Sequence, residues 1–259
     1  LVTLGQGGQQ DPNIRATTQE LYEGLEARSQ NCWPSVDRDL MAVNDLAAPF
    51  LGAGFYYKTF MWPSAFWEKL YEPIIRRAAG LGALSDQPDP DVNEKAHAFC
   101  DLLVIGSGPA GLMAALVADV ILAEEDMQMG GRLLSEVEEV DGKPATDWVA
   151  QVLEELGSMD NVRLMTRTAV TGSYDQGTYG ALERLGHHRV RRAGLPRECF
   201  WRIVAKRAVL AAGSIERPVA FANNDRPGVM TAGAVRSYLN RWGVAPGQNV
   251  TVFVNNDQA

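Results

Sequence analysis

A chain of 259 residues, 46% hydrophobic and 22% charged, can bury a full core as one large domain or two modest ones. Its net charge of −8 argues against nucleic acid as a main partner. No apolar run is long enough to cross a membrane. The three scattered cysteines, Cys32, Cys100 and Cys199, form no Cys-x-x-Cys pair, so they read as reduced thiols of a cytoplasmic protein rather than metal or cluster ligands.

Residues 1–15, rich in Gly and Gln, read as a loop or tail. Thr17–Arg28 is expected to form a short helix with Leu21 and Leu25 on one face. Residues 30–63 set Trp33, Phe50, Phe55, Tyr57 and Trp62 among small and turn residues. That composition fits either an arm folded on the chain's own core or a surface packed on a partner. Phe66, Trp67, Leu70 and Ile74 follow helical spacing and are expected in the core. Pro73 should kink or restart that helix, and Gly80 should end it. Residues 84–95 read as a solvated linker. The expected division is an N-terminal arm with helices over 1–95, facing a partner, and a dinucleotide-binding domain over 96–259.

Leu102–Ile105 reads as a buried parallel strand. It runs directly into Gly106-Ser107-Gly108-Pro109-Ala110-Gly111. Gly106 lets the chain turn off the strand, Gly108 lets a pyrophosphate approach bare backbone, and Gly111 lets the next helix lie close to the sheet. Pro109 opens that helix where its missing N–H costs nothing, and the amides around Ala110 face an anion. Val120–Ala123 is the next strand, ending in Glu124 and Glu125. A carboxylate at Glu124 suits a ribose 2′-OH and repels a 2′-phosphate, which favours NAD or FAD over NADP. Taken singly, a glycine-rich loop or a terminal acid needs no ligand; the order strand, glycine turn, helix, strand and acid favours the dinucleotide.

Gly130-Gly131, followed by Arg132, permit either a second close approach to a cofactor or an ordinary loop. Trp148, Val149, Val152, Leu153 and Leu156 give a helical stripe ended by Gly157. Val162–Met165 is a strand, and Thr168–Tyr174 and Thr178–Leu185 flank a turn at 175–177. The basic stretch from His187 to Arg192 reads as a solvated loop rather than a phosphate site. Phe200–Val204 and Ala208–Ala212 read as two strands, the second ending in small residues, Ala212 and Gly213, that can pass near a cofactor. Thr231–Trp242 reads as a helix, and Asn249–Val254 as a strand-like stretch that stops just as a new unit begins. Because the first residue is Leu, a fragment or processed chain is expected. The fold class is therefore α/β, a Rossmann-like parallel sheet with an antiparallel insertion, preceded by an irregular aromatic-rich and helical arm.

The glycine triplet, Glu124, Gly130-Gly131 and the run from Leu210 to Pro218 together resemble the two-dinucleotide-binding-domain flavoproteins. Within them, the stretches 15–24, 50–62, 95–100 and 224–230 resemble the alpha subunit of heterotetrameric sarcosine oxidases. That resemblance implies an oxidoreductase subunit acting on CH–NH donors with oxygen. Sarcosine is demethylated to glycine with hydrogen peroxide as product, and the one-carbon unit is carried by tetrahydrofolate bound in a domain not seen here. It places NAD in this chain, FAD in the beta subunit and FMN at the alpha–beta interface, with small gamma and delta subunits completing the assembly. No residue here is assigned a catalytic role and no metal is expected, so the isolated chain is not expected to turn over. The two other readings are an FAD-dependent pyridine-nucleotide oxidoreductase and a non-catalytic assembly module with a vestigial nucleotide site. One departure stands out: relatives run about five residues further before the strand ending in Glu124, so here helix and turn must fit near the minimum of about a dozen residues for a parallel crossover.

Overall fold

The computed structural model describes residues 1–16, 19–43, 46, 62–117, 119–190, 192, 194–224, 226 and 228–254. The chain divides into two units, Leu1–Asn93 with Leu185–Arg197, and Glu94–Arg184 with Glu198–Ala259. Most of the aromatic segment 50–62, and Ala118 in the crossover, lie outside the described residues.

In the first unit the expected N-terminal tail is a small sheet. Strand β1 (Val2–Leu4) lies between β2 (Asp11–Ile14) and β3 (Ala27–Ser29) and pairs antiparallel with both. Its strands lack an apolar alternation because polar side chains pin them. Gln30 Nε2 donates to Asn13 Oδ1 at 2.9 Å, and Gln30 Oε1 accepts from the Asn13 amide at 2.8 Å and from Thr3 Oγ1 at 3.0 Å. The helix expected over Thr17–Arg28 does not form among the described residues 19–28. Gly24 sits at φ +80°, which breaks a right-handed helix and turns the chain into β3.

The helix expected around Phe66–Ile74 is present. A 3₁₀ turn (Ser64–Phe66) and a π-helical turn (Trp67–Tyr71) lead into α1 (Glu72–Ala78), whose first turn holds Pro73. The helix ends as expected: Gly80 adopts φ +69°, and the Gly80 and Leu81 amides donate back to the Arg77 and Arg76 carbonyls at 3.1 Å each. Its apolar stripe is not core, however. Phe66, Leu70 and Ile74 are 50%, 46% and 59% exposed, because no described element packs over them.

The second unit is built on a six-stranded sheet, in the spatial order Val162–Met165, Val120–Ala123, Val92–Ile105, Pro196–Leu210, Thr178–Arg184 and Thr168–Tyr174. β4 (Val92–Ile105) starts ten residues earlier than the apolar run suggests, which shortens the linker before it. The crossover is α2 (Pro109–Ala114), tightened into a 3₁₀ turn at Ala115–Val117, before β5 (Val120–Ala123). That is how the short span accommodates a parallel return: Leu102–Ile105 pair in register with Val120–Ala123. A two-residue hairpin, β6 (Glu139–Val140) and β7 (Lys143–Pro144), leads into α3 (Ala145–Gly157). β8 (Val162–Met165) then pairs parallel with β5. β9 (Thr168–Tyr174), β10 (Thr178–Arg184) and β11 (Pro196–Leu210) form the antiparallel part. The two strands expected over 200–212 are one, because Cys199, Ile203 and Ala205 keep the two-residue alternation inward and the strand runs on, exposed, from Lys206 to Leu210. Asn249–Val254 carries no strand.

Alternate residues of the parallel strands feed two cores. Val104 and Leu122 face α2 and α3, where Leu112, Trp148, Val149, Val152 and Leu156 close one layer. Leu103 and Ile121 face the other way, onto Met165, Ala181 and Ile203. Cys100 and Cys199 lie in this second layer at 5% and 3% exposure. Burial pushes both thiols up, with Asp101 and Asp119 adding to it at Cys100, and Glu183 and Glu94 at Cys199. A thiolate is needed for attack, so alkylation of the native protein at neutral pH should modify Cys32 and spare Cys100 and Cys199. Peptide mass spectrometry after a brief iodoacetamide pulse checks this; label on Cys100 comparable to Cys32 would count against the burial.

Candidate dinucleotide site

Three glycines set the turn after β4, each through a different constraint. Gly106 adopts φ +97°, and a β-carbon there would come within 2.6 Å of the Ala211 carbonyl oxygen. Gly111 lies so close under the turn that a β-carbon would come 1.9 Å from the Gly106 carbonyl oxygen. Gly108 is the opposite case: a β-carbon would meet nothing within 4 Å. So two glycines are required by packing, and the third faces open space directly before α2. The Leu112 amide donates to the Gly108 carbonyl at 2.9 Å, which seats the helix start. The amides just after Pro109 belong to the first turn, where helical N–H groups have no partner within the helix.

Gly130-Gly131 come back onto this turn. The Gly130 amide donates to the Ser107 carbonyl and to Ser107 Oγ, both at 3.1 Å. A β-carbon on Gly131, at φ +55°, would come 2.9 Å from the Gly108 α-carbon. The close approach made by this pair is therefore between two stretches of backbone. On the other side, the Ala211 amide donates to the Ile105 carbonyl at 2.8 Å, which brings the end of β11 beside the end of β4. The neighbours of Gly106 there are Ala211 and Ala212; Gly213 lies beyond them with open space around it.

Glu124 is 8% exposed and turned toward the glycine turn. Its Oε2 accepts from the Ser107 amide at 2.8 Å and from Ser107 Oγ at 2.6 Å, and its Oε1 accepts from the Asp126 amide at 3.0 Å. An ionised carboxylate has about four lone-pair positions. Three are used, and one on Oε1 remains for a ligand hydroxyl. Glu125 is exposed and takes part through its carbonyl, which accepts from Arg184 Nη2 at 2.7 Å. Arg132 pairs with Glu136 at 2.6 Å one helical turn on.

Sequence reading missed Ser107, Asp126 and Arg241. Asp126 accepts both arms of the Arg241 guanidinium, at 2.7 and 2.8 Å. Burial opposes the charge on Asp126, but the Arg241 fork and the backbone amides of Gln128 and Met127 outweigh it and hold the carboxyl below its ordinary value of 3.8. Its native value being depressed, the contact contributes fully above that ordinary value and is lost as pH falls through the lowered one. Only the position of Ser107 between two glycines offered a signal; nothing local marks Arg241.

A cavity of about 340 Å³ opens at the amino ends of β5 and β8, lined by His97, Asp119, Asp160 and Arg163 among others. It lies at the opposite end of the parallel strands from the glycine turn. Ligands of open α/β sheets bind at the carboxyl ends, where the turn is.

The fit to a dinucleotide rests on three features of this chain: uncovered backbone at Gly108, a helix start facing it, and a buried acid beyond the second strand with acceptor capacity left over. No family model matches the chain. The chain is 58% identical to a sarcosine oxidase subunit alpha of Rhizobium meliloti (strain 1021) over 99% of its own length and 27% of that protein's. It is 43% identical to a sarcosine oxidase subunit alpha of Corynebacterium sp. (strain P-1), over 70% of its length and 19% of that protein's. Among solved structures it is similar to L-proline dehydrogenase from P. horikoshii, with a TM-score of 0.50 and 26% identity over 65% of this chain and 35% of that one. The chain thus spans about a quarter of the length of the first of these relatives, and over the segment it spans it is similar to the alpha subunits of sarcosine oxidases.

Proposed function

We propose that this chain is the NAD-binding part of a sarcosine oxidase alpha subunit. In this reading the diphosphate lies against Gly108 and the amides at the start of α2, within the turn built by Gly106, Pro109, Ala110 and Gly111. The adenosine ribose is held by Glu124, and Gly130 and Gly131 shape the wall beside Gly108. When bound, NAD supplies a nicotinamide that can accept a hydride. The residues of this chain bind and orient it and exclude a 2′-phosphate through the charge of Glu124. Oxidative demethylation of sarcosine to glycine, with hydrogen peroxide formed and the one-carbon unit passed to tetrahydrofolate, then belongs to the assembly as a whole. FAD is held by the beta subunit and FMN lies between alpha and beta. Gamma and delta subunits complete the complex, which we place in the cytoplasm.

The observation that carries this reading is the bare backbone at Gly108, flanked by glycines that packing demands. The exposed stripe of Trp62, Phe66, Leu70 and Ile74 supports residues 1–95 as the side facing a partner subunit, since aromatic residues are enriched at such surfaces. Acid denaturation of the purified complex, followed by mass spectrometry of the released small molecules, tests the cofactor. NAD equimolar with the alpha subunit is expected. Flavin without NAD would favour the flavin reductase reading, and a chain that releases and rebinds no nucleotide would leave only an assembly module.

A further inference from the structure

After β11 the described chain runs exposed from Ala212 to Met230. It then forms α4 (Ala232–Arg236) and a π-helical turn (Ser237–Arg241), and neither contains a buried residue. Polar contacts hold this segment. The Gly233 amide donates to the Glu216 carboxylate at 2.6 Å, capping the helix start. Asn240 Nδ2 donates to the Ser135 carbonyl at 2.7 Å. Arg241 forks onto Asp126, and its Nη2 also lies 3.2 Å from Gln128 Oε1. The last two residues therefore grip the loop 126–135, which joins Glu124 to Gly130-Gly131 and beyond.

Arg241 is the strongest of these grips. Its side chain is 15% exposed, its contact with Asp126 is bidentate, and the Trp242 ring lies 4.6 Å from its guanidinium carbon. Charge-assisted forks of this kind are short and geometrically specific. The grip leaves Arg241 Nε buried without an acceptor, a cost the Asp126 contact must outweigh. Asp126 and Gln128 face the guanidinium, and the charge of Glu124 adds to the field that favours it. From Arg241 the contacts continue without a gap. Asp126 donates its amide to Glu124 Oε1, Glu124 Oε2 accepts from Ser107, and Ser107 accepts from Gly130.

We propose that Arg241 is a positioning residue for the ribose end of the dinucleotide site. By fixing the Asp126 carboxylate it fixes the Asp126 amide, and that amide sets which part of Glu124 Oε1 stays available to a ribose hydroxyl. Arg241 acts through Asp126 and Glu124 and does not touch the nucleotide. This inference rests on the dinucleotide reading above.

The test uses the full-length protein freed of nucleotide and titrated by calorimetry with NAD and with its 2′-deoxyadenosine analogue. Arg241→Met should weaken NAD about tenfold while changing the analogue less than about twofold, because the analogue lacks the hydroxyl that Glu124 receives. Arg241→Lys, which keeps the charge but not the fork, should recover part of the loss. Asp126→Asn, which keeps the amide but weakens the fork, should show the same selectivity. In the Glu124→Gln background, Arg241→Met should add little. Equal weakening of both ligands, or effects that add in the double variant, would make Arg241 a structural residue only and overturn the proposal. Unchanged NAD affinity in both Arg241 variants would do the same. A wild-type protein that binds neither ligand would instead remove the dinucleotide reading itself, and this inference with it.

Discussion

Replacing Gly111 with alanine should cost about 3 kcal/mol of stability, the upper range for overpacking a tight contact. The added methyl group would come 1.9 Å from the Gly106 carbonyl oxygen and 3.0 Å from its carbon. Neither atom is the end of a flexible side chain. Gly106 is tied by its amide to the Ala123 carbonyl at 2.8 Å and is hemmed in by Ala211, so the strand side cannot retreat. The helix must move instead. α2 carries Leu112, which is fully buried against Val104, Leu122 and the α3 layer. Lifting the helix therefore opens the core as well as the turn. For a chain of this size such a loss should lower the thermal midpoint by about 6–12 °C. Differential scanning calorimetry measures it; an unchanged midpoint would mean that helix and strand are not seated as described.

Gly108→Val should do the reverse, sparing the fold and removing the ligand. The position already has φ −65° and ψ −179°, an extended backbone that any residue adopts. Its β-carbon would meet nothing within 4 Å. No packing term opposes the substitution, so the midpoint should move by no more than about 2 °C, the scale of a neutral surface change. Yet the valine methyl groups would stand where a diphosphate must approach, and its oxygens would lose the short contacts to backbone that a phosphate cradle supplies. The two glycines, three residues apart, thus separate folding from binding: one variant loses the first, the other the second.

The chain was legible where one local rule decided the outcome. Val120–Ala123 is a short, fully apolar run, and Val162–Met165 is a short run broken only by the exposed edge residue Arg163; both are strands with those bounds. The stripe from Trp148 to Leu156 is amphipathic and forms the helix that covers the sheet. The glycine turn was readable because Gly106 and Gly111 each have a backbone reason, and those reasons leave a fixed spacing. Legibility failed where polar side chains or distant partners decide. The N-terminal sheet is held by Gln30 and Asn13, which leave no hydrophobic period to detect. The stripe at Phe66, Leu70 and Ile74 has the spacing of a core helix but stands exposed, since spacing reports a face and not what covers it. The site showed the same split. Glu124 was placed by its position after a strand, whereas the grip of Arg241 on Asp126 spans 115 residues and follows from the fold alone.

Everything assigned to this chain depends on a diphosphate resting on uncovered backbone at the first strand-to-helix turn. Calorimetric titration of NAD into the wild-type protein and the Gly108→Val variant, both stripped of nucleotide and both folded by circular dichroism, addresses that dependence most directly. One NAD per chain is expected for the wild type, and a loss of affinity of at least about a hundredfold in the variant, some 2.7 kcal/mol or more. Equal affinity in the two proteins would contradict it.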